Sequence, residues 1–336
     1  MTRRPRLVLA MHETTAVDLL GAAHWERLRA LADVLDEVPL TSFRDERARS
    51  LLERADVLLT GWGVPPLDAA ALALAPNLRA VVHAAGSVKG FISDACWSRP
   101  LSITSVAAAN ARPVAEFTLA AILLAGKGVF RAQAMYRAHR TLPPWREAGP
   151  TPGNREKRVG VIGASKVGRQ VIALLAPFEF ELVVSDPLLT LDEAGRLAVT
   201  LVELDELLAT SDIVSVHAPL LAATTGLLDA RRLALLKDGA TLINTARGAI
   251  IDAAALEAEL VQGRLNAAID TTDPEPLPAE SPLYDLPNVF LTPHIAGSTG
   301  TELGRLADAA LDELERFAAD LPFAHEITAE DLPWIA

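Results

Sequence analysis

The sequence predicts an α/β fold with parallel sheets. Short apolar strands at residues 7–10, 56–60 and 78–83 alternate with helical segments. This alternation is typical of parallel strands joined by right-handed crossovers. A second run of strands and helices begins at residue 158, after a segment rich in Pro and Gly. Such sheets bind ligands where their strands end, so functional residues are expected at those positions.

Apolar spacing assigns the other elements in chain order. It predicts an amphipathic helix over residues 19–34, a long helical stretch over 110–139 and a last helix over 301–319. The apolar run 117–126 falls short of the ~20 residues that span a bilayer, so a buried helix is expected there. The strands of the second run are predicted at residues 158–163, 182–186, 212–217, 241–245, 267–270 and 289–292.

Length and composition limit the class of protein. The 336 residues suffice for two domains. A formal net charge of -12 argues against nucleic-acid partners and anionic membrane surfaces. The single cysteine, Cys96, excludes an internal disulfide and indicates a reducing cytosol. The pair Arg3-Arg4 resembles a twin-arginine start, but the apolar run that follows it is too short for a signal peptide. A cytoplasmic protein is therefore expected.

A Gly-Ala-Ser-Lys-Val-Gly turn that begins at Gly163 follows a strand and opens a helix. It fits the G-x-G-x-x-G pattern of dinucleotide-binding turns except that Ser165 stands at the second glycine. Gly163 would make the tight turn, Gly168 would let the helix pack on the sheet, and free backbone N–H groups would bind a pyrophosphate. A turn without a ligand is the alternative. The cofactor-binding residues predicted here are Gly163, Ser165, Lys166, Val167 and Gly168.

Asp186 ends the next strand, close to the offset expected for an acid that binds a ribose. A carboxylate there accepts from the ribose 2′-hydroxyl and repels a 2′-phosphate, which favours NAD over NADP. The alternative is that Asp186 only caps the turn before Pro187.

Arg247, Glu275 and His294 each lie at or near the end of an apolar strand. A fixed cation, a carboxylate and an imidazole are what is needed to bind a 2-oxo acid and pass it a proton. Arg247 could instead form a surface salt bridge, His294 could be a turn residue, and Asp273 is a rival carboxylate. Together with the turn at Gly163, the three side chains indicate hydride transfer.

These segments resemble the D-isomer-specific 2-hydroxyacid dehydrogenases. The matching segments follow the family's order and are residues 159–168, 211–220, 242–252, 263–276 and 288–297. The resemblance implies that an NAD-binding Rossmann domain, residues 106–296, is inserted in a flavodoxin-like substrate domain, residues 1–105 plus 297–336. It also implies a homodimer formed through an arm around residues 115–150.

The resemblance further implies a role for each residue. Arg247 would bind the substrate carboxylate and polarise its 2-oxo group. His294 would exchange a proton with the carbonyl oxygen, and Glu275 would favour its imidazolium form. Asp270 would accept from the nicotinamide carboxamide, with a strand-end cap as the alternative. The remaining cofactor-side residues are His217, Ala218, Pro219, Thr245 and Ala246. No metal is expected, since hydride transfer needs none.

The segment Ala85, Gly86 and Ser87 matches the family's loop that offers backbone N–H groups to the substrate carboxylate. Val88 departs from the usual Gly-x-Gly, so the pocket is altered. Asn110 matches a polar residue that lines the substrate site.

The function expected from all of this is that of an NAD-dependent D-2-hydroxyacid dehydrogenase or 2-oxo acid reductase acting on a small anionic substrate. The alternatives are an NADP-dependent glyoxylate or hydroxypyruvate reductase and a non-catalytic dinucleotide sensor like the corepressors of this fold. No cluster of arginines stands in the loops around residues 60–64 and 84–89, where substrate specificity is expected to be set, which disfavours 3-phosphoglycerate. The 2-hydroxy acid itself is not predicted.

Overall fold

A computed structural model describes residues 3–142 and 152–332 of the chain. The chain divides into two compact units. Unit 1 comprises Met1–Asn110 and Ser298–Ala336, and unit 2 comprises Ala111–Gly297.

Both units are built from short strands and helices. The strands are β1 (Arg6–Ala10), β2 (Asp33–Val34), β3 (Val57–Thr60), β4 (Ala80–His83), β5 (Ser102–Ser105), β6 (Arg158–Ile162), β7 (Glu181–Ser185), β8 (Thr200–Leu201), β9 (Ile213–Val216), β10 (Thr241–Asn244), β11 (Asn266–Ile269), β12 (Val289–Leu291) and β13 (Glu326–Ile327). The α-helices are α1 (Glu13–Leu19), α2 (Ala22–Leu31), α3 (Glu46–Leu52), α4 (Ala69–Leu74), α5 (Ala107–Gly126), α6 (Val129–His139), α7 (Lys166–Leu175), α8 (Leu191–Arg196), α9 (Leu204–Thr210), α10 (Ala230–Leu233), α11 (Ala253–Val261) and α12 (Leu303–Ala318).

Unit 1 contains a six-stranded sheet in the order β13-β5-β4-β3-β1-β2. Its strands are parallel except that β13 runs antiparallel to β5. The order of the first five strands is that of flavodoxin-like sheets. Leu58 and Leu59 are both buried but belong to cores on opposite faces, because successive strand side chains alternate. Helix α12 contributes Leu311 and Leu314 to the same core as Leu59.

Unit 2 contains a seven-stranded, all-parallel sheet in the order β12-β11-β10-β9-β6-β7-β8. This is the Rossmann order with one further strand, and the predicted α/β fold with parallel sheets is confirmed in both units. The order reverses between β6 and β9, which are hydrogen-bonded neighbours. Doubly wound sheets bind dinucleotides at such a switch point, so the segments that follow β6 and β9 are the first place to look for a site.

Two helix predictions are wrong in their bounds. The helix expected over residues 19–34 is interrupted, because Gly21 has extended backbone and caps α2, and Asp33–Val34 pairs with β1 as a strand. The stretch expected over 110–139 is two helices, since Gly128 adopts a left-handed φ of 63° between them. The strands β5, β8 and β13 were not predicted. The first alternates apolar Ile103 with polar neighbours, and the other two have only two residues each.

Helix α5 is longer than the apolar run 117–126 suggests. It has 20 residues, and an 18-residue window within it has a mean hydropathy of 1.2, so it is long and apolar enough to cross a membrane by length and composition alone. Core helices of globular proteins meet the same criterion. Here Ala121 and Ile122 are buried and pack in one apolar core with Val159 and Val171, whereas Leu124 of the same run is exposed. The predicted helix is therefore confirmed, and its burial is partial.

Candidate active site

Three adjacent strands of unit 2 bring the predicted polar side chains to one edge of the sheet. Arg247 follows β10, Glu275 lies in the segment after β11, and His294 follows β12. Because β10 pairs with β11 and β11 with β12, all in parallel, these segments leave the sheet side by side. The structure therefore collects the three residues at the carboxyl edge, as their positions at strand ends predict.

His294 and Glu275 are hydrogen-bonded. The distance from Nδ1 of His294 to Oε1 of Glu275 is 2.8 Å, and each side chain is 45% exposed. An ionised carboxylate only accepts, so the imidazole Nδ1–H is the donor. This bond fixes the tautomer and leaves Nε2 as the ring nitrogen available to a substrate oxygen. The rival carboxylate, Asp273, makes no ion pair with His294 in the described part of the chain.

The loop that carries His294 is held by Asp270. His294 has a left-handed φ of 54°, an unfavourable backbone state for a side chain of its size. Its N–H donates to the Asp270 carbonyl at 2.9 Å, and the buried Asp270 carboxylate accepts from the N–H groups of Ile295 (2.8 Å) and Ala296 (2.9 Å) and from the Thr292 hydroxyl (2.7 Å). These are the contacts of the strand-end cap that was the alternative for Asp270. Its bond to a nicotinamide stays a prediction.

Asn244 shapes the turn that presents Arg247. The Asn244 amide donates to the Arg247 carbonyl at 3.0 Å, and its oxygen accepts from the Ala246 N–H at 3.0 Å. The Arg247 guanidinium donates to the Ala246 carbonyl at 2.6 Å and forms no ion pair among the described residues. Burial lowers the pKa of Arg247, and the charge of Glu275 opposes this shift. A guanidinium still stays charged at neutral pH, so a cation without a salt-bridge partner stands at this edge.

Gly248 allows two loops to touch. A Cβ atom on Gly248 would lie 2.1 Å from the carbonyl carbon of Thr272 and 2.5 Å from the nitrogen of Asp273. These distances are impossible for a real side chain, so only glycine permits the approach. The contact packs the Arg247 turn against the segment that leads to Glu275.

The turn after β6 is closely packed. Gly163 has φ of 92°, and a Cβ there would lie 2.7 Å from the nitrogen of Ala218. A Cβ on Gly168 would lie 2.0 Å from the Gly163 carbonyl oxygen. Ser165 is the N-cap of α7, and its hydroxyl oxygen accepts from the Gly168 N–H at 3.3 Å. The serine at the second glycine position therefore caps the helix, and its hydroxyl hydrogen remains available to a ligand.

Asp186 bridges the end of β7 to this turn. Its Oδ2 accepts from the Ala164 N–H at 2.6 Å and its Oδ1 from the Leu188 N–H at 2.8 Å. The second bond is the turn cap that was considered as the alternative role. Each carboxylate oxygen has a further acceptor site, so the cap and a bond to a ribose hydroxyl are compatible.

Comparison with known proteins shows the family of this chain. Residues 119–296 match the family model described as D-isomer specific 2-hydroxyacid dehydrogenase, NAD binding domain. The chain belongs to the D-isomer-specific 2-hydroxyacid dehydrogenase family. Over 275 residues it is 33% identical to a glyoxylate reductase of Thermofilum pendens, covering 81% of this chain and 80% of the relative. It is 34% identical over 247 residues to the D-3-phosphoglycerate dehydrogenase of Mycobacterium leprae, covering 73% of this chain and 46% of the relative.

The chain thus spans about half the length of the phosphoglycerate dehydrogenases that it matches, with 46% of the Mycobacterium leprae protein covered. A solved 2-hydroxyacid dehydrogenase from Ketogulonicigenium vulgare is similar over 98% of this chain and 99% of its own, with a TM-score of 0.77 and 25% identity.

The NAD-binding domain of this family member has residues that fit the dinucleotide. The two glycines let the turn after β6 pack tightly against Ala218 and against the start of α7, as the turn of a dinucleotide-binding domain requires. Two buried polar atoms at the carboxyl edge, Nδ1 of His217 and Oγ1 of Thr271, have no partner within the described residues. Nε2 of His217 bonds to Ser215 Oγ at 2.8 Å, and burial lowers the pKa of His217 to about 3, so the ring is neutral. Polar atoms of this kind are suited to contact a bound cofactor.

The predicted substrate loop lies in unit 1, after β4. A Cβ on Gly86 would come within 3.7 Å of the Asn110 amide nitrogen, so these two residues are neighbours. In the described part of the chain, the backbone N–H groups of Ala85, Gly86 and Ser87 have no acceptor. Successive free N–H groups suit an anion. Val88 is fully buried in the core, which explains the departure from Gly-x-Gly: its side chain anchors the loop.

One buried residue and one buried contact were not anticipated from the sequence. Asn244 is a buried polar residue at the end of the apolar strand β10, and that position was the available signal. The buried hydroxyls of Thr118 and Thr245 lie 3.0 Å apart. No pattern signals this pair, because 127 residues separate its members.

Proposed function

We propose that this protein is an NAD-dependent D-2-hydroxyacid dehydrogenase that interconverts a small 2-hydroxy acid and its 2-oxo acid. The observation that carries the proposal is the hydrogen bond between His294 and Glu275, with Arg247 on the adjacent strand segment as a cation that has no salt-bridge partner among the described residues. An imidazole with a fixed tautomer and a free cation are the two groups that reduction of a 2-oxo acid requires from the protein.

Each residue has a distinct task in the proposed reaction. The guanidinium of Arg247 binds the substrate carboxylate through its fork of donors and polarises the 2-oxo group. His294 gives the proton on Nε2 to the carbonyl oxygen, and in the oxidative direction it takes that proton back. Glu275 stabilises the imidazolium form that must exist before the proton is given. Reduced nicotinamide, when bound, supplies a hydride from its C4 to C2 of the substrate.

The cofactor is held, in this proposal, by the turn after β6 and by the segments beside it. The N–H groups at the start of α7 bind the pyrophosphate, and Asp186 binds a ribose hydroxyl, which favours NAD over NADP. Asp270 orients the nicotinamide. The other residues assigned to the cofactor are Ser165, Lys166, Val167, His217, Ala218, Pro219, Thr245 and Ala246.

Unit 1 is the proposed substrate domain and unit 2 the proposed NAD-binding domain. The free N–H groups of Ala85, Gly86 and Ser87 bind the substrate carboxylate, and Asn110 lines the same site. We further propose a homodimer in the cytoplasm. Part of the proposed dimer arm, residues 143–151, lies outside the described residues.

A second candidate is an NADP-dependent glyoxylate or hydroxypyruvate reductase. The Thermofilum pendens relative, named a glyoxylate reductase, is 33% identical and favours glyoxylate as a substrate to test. Asp186 argues against NADP, since its carboxylate would lie close to the 2′-phosphate. The third candidate is a dinucleotide sensor without activity, which could retain the same Arg, Glu and His.

One assay separates the three candidates. Initial rates are measured with NADH and with NADPH against a panel of glyoxylate, hydroxypyruvate, pyruvate and phenylpyruvate. We expect turnover with NADH and its loss in His294→Ala. Preference for NADPH supports the second candidate. Tight NADH binding without turnover of any 2-oxo acid supports the sensor and contradicts the proposed enzyme.

A further inference from the structure

Behind the predicted substrate loop lies a buried histidine that has no assigned role. His83 is the last residue of β4, is 3% exposed and lies opposite Thr60, the last residue of β3. Its Nδ1 is 2.9 Å from Oγ1 of Thr60, and the backbone of Ser87 also hydrogen-bonds the ring. The Phe91 ring packs against it with centroids 4.8 Å apart. His83 therefore links two strand ends to the loop.

The imidazole is held in its neutral state. Burial lowers the pKa of His83 to about 4, although the bond to Ser87 opposes that shift. A neutral ring with a hydroxyl on one side and a backbone group on the other is a satisfied buried polar group. Such a network favours one geometry, because any other leaves a buried polar atom without a partner.

The loop is pinned at its two ends. At the start, the Ala84 N–H donates to the Thr60 carbonyl at 2.7 Å. At the end, the Val88 side chain is fully buried and its carbonyl accepts from the Phe91 N–H at 3.2 Å. Between these points the Ser87 backbone hydrogen-bonds the His83 ring, which Thr60 of β3 holds from the other side. The N–H groups without acceptors lie in this same stretch.

We propose that His83, backed by Thr60, is a positioning residue that fixes the Ala85–Ser87 backbone so that its N–H groups converge on the substrate carboxylate. The inference rests on the proposed function, because it concerns the binding of the same 2-oxo acid. A residue that orients a binding loop contributes to the ground state and the transition state alike. Its loss therefore raises KM for the 2-oxo acid and leaves kcat nearly unchanged.

The sharpest test replaces Thr60, since Thr60→Val keeps the shape of the side chain and removes only the hydroxyl that contacts His83. Thr60→Ser, which keeps the hydroxyl, is the matched control. We expect KM for the 2-oxo acid to rise about tenfold in Thr60→Val and in His83→Ala. This is the effect of losing one hydrogen bond between a loop N–H group and the charged substrate carboxylate. Thr60→Ser and His83→Gln are expected to stay within about twofold of wild type.

KM for NADH and the melting temperature separate positioning from a general structural role. Equal changes in both KM values and in kcat would overturn the inference, as would a wild-type KM in Thr60→Val. Amide hydrogen exchange of Ala84 and Phe91, whose N–H groups are hydrogen-bonded at the two ends of the loop, gives a readout that needs no turnover: faster exchange in Thr60→Val supports the inference, and unchanged exchange overturns it. Absence of turnover in the wild type contradicts the proposed function, whereas the exchange experiment still decides how the loop is held.

Discussion

Nδ1 of His294 lies 2.8 Å from Oε1 of Glu275, although the two residues are 19 positions apart in the chain. The register explains the encounter, since Ile269 at the end of β11 pairs with Leu291 at the end of β12. The segments that follow these strands leave the sheet together. One of them carries the carboxylate and the other the imidazole, so the sheet itself assembles the proposed acid–base pair.

Removing either member of this pair should affect the chemical step more than cofactor binding. We expect His294→Ala to lower kcat about 10²–10⁴-fold, the usual contribution of a positioned acid–base group. Glu275→Gln keeps a hydrogen-bond acceptor but removes the charge, so a smaller loss of kcat is expected. Steady-state rates and NADH titration by fluorescence provide the measurements. Full activity in His294→Ala would falsify its assignment as the proton donor.

Arg247→Lys tests whether the planar fork of donors matters beyond its charge. Lysine keeps the positive charge but cannot bind a carboxylate in a bidentate manner. We expect KM for the 2-oxo acid to rise and kcat to fall together, by about tenfold or more in kcat/KM. Arg232→Lys, a change at a half-buried arginine that pairs with Asp205 in unit 2, serves as the control. Equal kinetics for Arg247→Lys and wild type would show that only the positive charge, and not the planar fork of donors, is required to bind the 2-oxo acid.

Gly248→Ala should destabilise unit 2. The added methyl group would meet the Thr272 backbone at 2.1 Å, so one of the two loops must move. We expect a loss of about 2 kcal/mol in the free energy of unfolding, together with reduced kcat/KM. Gly195→Ala is the matched control, because nothing lies within 4 Å of its Cβ position in helix α8. That change should be neutral or stabilise by up to about 1 kcal/mol. The same effect from both substitutions would contradict the packing argument.

Asp186→Asn tests the origin of the expected preference for NAD. Loss of the carboxylate charge removes the repulsion of a 2′-phosphate, so the ratio of kcat/KM for NADH to that for NADPH should fall about tenfold or more. The ratio is the useful quantity for the following reason. The substitution also removes an acceptor for the N–H group of Ala164 or Leu188, and the altered turn weakens the binding of both cofactors. Asp192→Asn, at an exposed position in the first turn of α8, should leave the ratio unchanged. An unaltered ratio in both variants would contradict the proposal that Asp186 causes the preference for NAD over NADP.

The sequence allowed much of this site to be predicted, because its key residues follow apolar strands that are easy to recognise. Arg247, Glu275 and His294 needed only the rule that parallel strands end at one edge. The contacts of Asp270 could not be anticipated, since its partners lie 22 to 26 residues further along and are mostly backbone groups. The same holds for His83, whose partner Thr60 is known only once the register of β3 and β4 is known.

Helix bounds were less predictable for a local reason. The apolar periodicity continues past Gly21 and Gly128, and only the backbone geometry at these glycines shows that the helix stops there. Periodicity reports which face is buried, but it does not report where the backbone turns.

Two buried histidines should make the protein less stable in mild acid. Burial lowers the pKa of His83 to about 4 and that of His217 to about 3, whereas the ordinary pKa of both is 6.5. Between about pH 6.5 and pH 4, the unfolded chain therefore binds protons that the folded protein does not. The free energy of unfolding therefore decreases as the pH is lowered across this window. At pH 5 each histidine lowers the free energy of unfolding by about 2 kcal/mol.

Urea unfolding at pH 7 and at pH 5 measures this loss. The relevant quantity is the difference between the two pH values, because His83→Gln and His217→Gln also change stability at pH 7. In each variant the loss on acidification should shrink by about 2 kcal/mol, since the group that only the unfolded chain protonates is gone. His139→Gln, at an exposed position on α6, should retain the full wild-type loss. Only groups whose proton affinities differ between the folded and unfolded states make the free energy of unfolding depend on pH. If all three variants lose as much stability on acidification as wild type, carboxylates and not these imidazoles cause the loss.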